Sequence, residues 1–119
     1  MAYLTGTPTA IENIEIIKQN IPKPDLYEQL AEEAAELAQA AGKMARVLRG
    51  TNPTPKTELE AHNSVIEEYT DVVNVAGNIL DIHPDWLIGD YKLYRWMKRI
   101  EKDKQEKHHG HCGPDYCEL

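Results

Sequence analysis

Seven apolar residues, Leu26, Leu30, Ala34, Leu37, Ala41, Met44 and Leu48, recur at 4-4-3-4-3-4 spacing through a stretch otherwise made mostly of Glu, Gln, Lys, Arg and Ala. At about 100° per residue they fall within an arc about 80° wide, which is one face of an α-helix and no face of a strand. Asp25 and Glu28 have capping-box spacing directly after Pro24, and Gly50 supplies a stop. The spacing therefore predicts a helix over 25–49, about 37 Å long. Such a helix must bury its stripe against other elements.

The rest of the chain supplies them. Thr9 and Glu12 predict a capped helix carrying Ile11, Ile14 and Ile17 to about Gln19, before Asn20, Pro22 and Pro24. Pro53 and Pro55 mark a loop, after which Thr57 and Glu60 cap a third helix to about Leu80 with Val65, Tyr69, Val72, Val73, Ala76 and Leu80 on its apolar face. Asp81-Ile82-His83-Pro84 breaks the pattern. Pro84 then opens a fourth helix with Leu87, Tyr91, Tyr94, Met97 and Ile100 as its apolar face. No segment alternates with period two, so the expected fold is all-α, a bundle of about four helices. At 119 residues the chain is one domain's length, read as a helical domain over 1–103 and a polar C-terminal tail over 104–119. Gly42 and Gly77 lie inside predicted helices at about 1 kcal/mol each relative to Ala, which close helix approach explains.

Thirteen Lys and Arg against twenty Asp and Glu leave a net charge of −7. That balance argues against nucleic acid as the main ligand, because a phosphate backbone is bound by a basic surface. A small polyanion such as a nucleotide is still accessible if divalent cations bridge it to carboxylates. No apolar run reaches the ~18–20 residues of a membrane span and Met1–Gly6 lacks signal-peptide character, so the expectation is no membrane and a cytoplasmic protein. Both cysteines, Cys112 and Cys117, fall in the tail with His108, His109 and His111; their spacing matches no standard zinc finger, and a plain tail is the favoured reading over zinc.

The chemistry-bearing residues are Glu33 and Glu36 on the second helix and Glu68 and Asp71 on the third. Each pair is spaced i, i+3, and all four lie on the same flank of their apolar stripes. Any one such pair is ordinarily a solvated helix face. These four, however, have Leu37, Ala40, Val72 and Val75 at i+4, so none has the Lys or Arg that usually supports an exposed helical acid. Packing the two helices can gather them at the edge of the core, where four carboxylates repel unless a divalent cation lies between them. Oxygen-only ligands favour Mg²⁺, with Mn²⁺ also suitable. Glu32 and Glu67 project about 100° away from their neighbours, toward solvent.

Glu-Glu-x-x-Glu at 32–36 followed by Glu-x-x-Asp at 68–71 resembles the MazG-like all-α nucleoside triphosphate pyrophosphohydrolases, relatives of dCTP pyrophosphatases and dimeric dUTPases. The similarity covers about Leu26 to Arg99. The resemblance implies an enzyme, a Mg²⁺-dependent hydrolase that converts a nucleoside triphosphate to monophosphate and pyrophosphate. Glu33, Glu36, Glu68 and Asp71 would be its metal ligands and catalytic centre. On the fourth helix Lys92 and Arg99 match the family's basic positions, while Trp96 stands where an Asn is common.

Lys92 and Arg99 lie about 20° apart around the helix, so both can meet one triphosphate, with Arg95 and Lys98 nearby; the simpler alternative is a basic face paired with the acidic body. Asn74 and Asn78 extend the Asp71 side of the third helix toward sugar or phosphate. Apolar surface that four unequal helices leave uncovered, together with the family's habit, implies a homo-oligomer, a dimer or tetramer. The alternative function is a non-catalytic helical protein that oligomerises or binds a partner through its amphipathic faces.

Overall fold

The computed structural model describes residues 8–51 and 56–108. All regular structure there is helical: α1 (Pro8–Asn20), α2 (Lys23–Arg49), α3 (Glu58–Val73), a π-helical turn over Asn74–Ile79, and α4 (Trp86–His108). The all-α fold class expected from the periodicity is the one observed. None of these helices is long and apolar enough to cross a membrane.

Local chemistry explains most helix ends. Thr57 and Glu60 form the predicted capping box: the Thr57 hydroxyl accepts from the Glu60 amide at 3.0 Å, and Glu60 Oε1 accepts from the Thr57 amide at 2.9 Å. These bonds hold the Glu60 carboxyl below its ordinary pKa. Thr57→Ala is expected to cost about 1 kcal/mol of stability, read as a lowered urea midpoint with unchanged slope. At the end of α2, Gly50 adopts φ 74°, a left-handed conformation that a Cβ disfavours. There the Gly50 amide donates to the Val47 carbonyl and the Thr51 amide to the Arg46 carbonyl, closing a Schellman motif.

The other two predicted boxes do not form. Helix α2 begins at Lys23, with Pro22 at the N-cap and the amides of Asp25 and Leu26 both donating to the Pro22 carbonyl. Pro24 has no N–H and a helix-compatible φ, so the first turn tolerates it and Asp25 sits inside the helix instead of capping it. Likewise α1 begins at Pro8, which places Thr9 within its first turn. The start of α4 also differs: Asp85 caps it, its Oδ1 accepting from the Leu87 and Ile88 amides at 3.0 and 3.2 Å. Helix α4 continues to His108, beyond the expected start of the tail. The tail histidines and cysteines from His109 onward lie outside the described residues.

The third predicted helix is α-helical only to Val73, and a π-helical turn replaces its last part. There the Leu80 amide reaches five residues back to the Val75 carbonyl at 2.9 Å, and Asp81 leaves the turn at φ 59°. The extra residue per turn rotates the faces, so Val75 becomes buried and Leu80, expected in the core, is only half-buried. Gly77, also buried, lies in this turn against which α1 and α2 pack. Gly42 makes no unusually close approach: a Cβ there would meet Arg46 Nη1 at 3.5 Å, ordinary contact.

By its contacts the chain divides into two compact units meeting at His83–Pro84. In the first, α2 and α3 form the main packing pair, with α1 and the π turn against their end. Among the described residues only Leu26, Ala61 and Val75 are buried apolar side chains. The second unit is α4, whose Lys98 pairs with Glu101 at 3.3 Å and whose Arg95 guanidinium sits 5.7 Å from the Tyr91 ring centre.

Candidate functional site

The α2–α3 hairpin places the predicted acids. In an antiparallel pair each step of three along one helix is matched by a step of three back along the other, so Glu36 comes level with Glu68 and Glu33 with Asp71. Carboxylate oxygens of Glu33, Glu36 and Glu68 all lie within 4.8 Å of one another. Asp71, half-buried, stands beside this trio and raises the pKa of both Glu33 and Glu68 through its charge. Glu32 and Glu67 are exposed, as their positions around the helices predict.

The electrostatics of the trio are those of an uncompensated cluster. Glu33 is pushed above its ordinary pKa first by desolvation and then by the charges of Asp71 and Glu36; a hydrogen bond from Gln29 Nε2 at 3.2 Å works the other way. Glu68 is raised by desolvation, then by its proximity to the Glu36 carboxylate and by the charges of Asp71 and Glu67. Glu68 Oε2 is shielded from solvent and receives no hydrogen bond. A shielded carboxylate oxygen with no donor is costly.

Raised folded-state pKa values have a definite sign. The stability they contribute is fully present below the unfolded value near 4.5 and is lost as pH rises through the higher folded values. Metal-free protein is therefore expected to lose thermal stability relative to the Glu33→Gln/Glu68→Gln variant as pH rises above the unfolded value near 4.5, and saturating Mg²⁺ should cancel that difference. Parallel melting curves of the two proteins across this range without metal would remove the cluster's electrostatic role.

Two further concave surfaces lie in the same unit. Asn74 and Asn78, on the π turn, are joined by a 2.9 Å hydrogen bond from Asn78 Nδ2 to Asn74 Oδ1. They line a cavity of about 230 Å³ with Asn13, Ile14, Ile17 and Ile79. On the other side of Glu68, a depression brings Lys43 and Lys56 beside the acids. Neither lysine carries a sequence motif, and the hairpin alone makes them neighbours of the acids. Lys92, Arg95 and Arg99 lie in the second unit, sharing one shallow face of α4 with Trp96.

No known family, curated protein or solved structure matches the chain.

Proposed function

We propose that this chain is a divalent-cation-dependent nucleoside triphosphate pyrophosphohydrolase of MazG-like type, releasing a nucleoside monophosphate and pyrophosphate. The observation that carries this reading is the shielded, undonated Oε2 of Glu68 within a trio of carboxylates that share 4.8 Å. The donor set fits a hard cation: all oxygen, with no imidazole or thiolate among the three. Glu33, Glu36 and Glu68 would hold Mg²⁺ or Mn²⁺, with Asp71 adding charge beside them. A bound ion of this kind supplies neutralisation of charge developing on phosphorus and activation of water.

The chain's own groups do the rest. A cluster carboxylate accepts the proton of the attacking water, the water oxygen bonds to phosphorus, and the bridging P–O bond breaks toward pyrophosphate. Asn74 offers amide hydrogen bonds to the nucleoside side of the substrate. The resemblance assigns Lys92, Arg95 and Arg99 of the second unit to phosphate oxygens, Lys as a point charge and Arg as a planar fork. Lys92→Met and Arg99→Met are expected to keep their melting temperatures and lose about tenfold in kcat/KM, because an exposed ion pair contributes only about 0–1 kcal/mol to folding. Unchanged kinetics with a lower melting temperature would assign these residues to the fold.

The exposed apolar side chains support a homo-oligomer, a dimer or tetramer, as the working form. They equally favour the second reading, a non-catalytic helical protein that associates through these faces. Pyrophosphate release from a panel of ribo- and deoxyribonucleoside triphosphates, with Mg²⁺ and with EDTA, decides between the two. Metal-dependent release from any member supports the enzyme, and no release from all of them supports the association module.

A further inference from the structure

The depression beside the carboxylates has two electrical ends. Its lining includes Glu36 and Glu68 together with Gln39, Ser64, Lys43 and Lys56. Lys43 lies seven residues beyond Glu36 on α2, hence on the same face and about 10 Å further along the axis. Lys56 immediately precedes the N-cap of α3, so its charge adds to the positive pole of that helix. Both lysines are half-buried, yet among the described residues neither makes an ion pair, although unpaired carboxylates line the same depression. Two carboxylates and two ammonium groups thus line one concavity with no ion pair between them, and Lys56 also acts on Glu60 in the first turn of α3.

A ligand complementary to such a depression is negative at one end and carries a cation at the other. A divalent cation chelated to a chain of phosphates has that polarity. We propose that Lys43 and Lys56 form a polyphosphate subsite that holds the terminal phosphates of the substrate and, after cleavage, pyrophosphate. The proposal rests on the hydrolase reading for the identity of the substrate. It also gives the substrate a direction: phosphates run from the carboxylates toward Lys43 and Lys56, and the nucleoside lies on the other side of Asp71, toward Asn74. Lysine suits this place because an ammonium on a flexible stem can follow an anion whose position changes between substrate and product.

The test is calorimetric titration of inorganic pyrophosphate into the full chain at saturating Mg²⁺. Lys43→Met and Lys56→Met should each weaken binding about tenfold, the worth of one charge-assisted hydrogen bond, and the double variant more. Titration of Mg²⁺ alone should be unchanged in the same variants, circular dichroism should show the same helicity, and Lys43→Arg should recover part of the loss. Pyrophosphate affinity that is equal in the double variant and the parent, or absent in the parent, overturns the subsite. Lysine-dependent pyrophosphate binding without hydrolysis of any nucleotide upholds the subsite and overturns the hydrolase reading. Metal-dependent hydrolysis with lysine-independent pyrophosphate binding does the reverse.

Discussion

Glu36→Ala, Glu68→Ala and Asp71→Ala are each expected to reduce Mg²⁺-dependent pyrophosphate release by at least about a thousandfold, since a catalytic metal ion contributes several kcal/mol of transition-state stabilisation. Glu68→Ala carries a second signature. Its carboxylate is penalised in the metal-free protein by desolvation and by neighbouring acids, so its removal should leave metal-free stability at neutral pH unchanged or higher. A side chain kept for packing or hydrogen bonding behaves oppositely, losing stability when truncated. Melting curves with and without Mg²⁺ read both effects: the parent gains stability from the ion and Glu68→Ala does not. Full hydrolysis by all three variants would end the assignment of these residues to the site.

The melting temperature of the parent is expected to rise with protein concentration, and its mass in solution to be a multiple of 13.5 kDa. A buried apolar set of Leu26, Ala61 and Val75 is small against the conformational entropy of ordering about a hundred residues, roughly 1–2 kcal/mol each. Meanwhile Ile66 and Tyr69 on α3 remain 51% and 55% exposed, and Leu48 on α2 60%. Association that covers these side chains would supply further burial. Ile66→Asp and Tyr69→Asp should therefore shift the species toward single chains and lower the melting point together, because a carboxylate is costly to desolvate at an apolar interface. A single-chain mass at all concentrations, with a constant melting temperature, is the result that would defeat this expectation.

What the sequence could determine was whatever depends on near neighbours along the chain. The Thr57–Glu60 box and the Gly50 stop form as read, because each rests on residues three or four apart whose partners are already in the same helical turn. The same reasoning failed at Asp25–Glu28 and Thr9–Glu12, where Pro24 and Pro8 lengthen their helices and place the expected caps inside them. The one-flank placement of Glu33, Glu36, Glu68 and Asp71 was legible too, since helical angle is a property of sequence position. Their convergence needed only that α2 and α3 pack antiparallel.

Tertiary structure alone decided what depends on register between helices and on desolvation. The π turn at Asn74–Ile79 trades α-helical hydrogen bonds for longer-range ones where α1 and α2 pack against it, and no local signal for that shift exists in a run that also suits an α-helix. Glu68 Oε2 is shielded and without a donor in the folded chain, a state no local pattern specifies. Lys43 and Lys56, separated by the loop, share a depression with Glu36 and Glu68 only because the hairpin folds them onto one side. Sequence fixes the angle at which a side chain leaves its helix; what it meets there is set by which helices pack, at what level, and how much water they exclude.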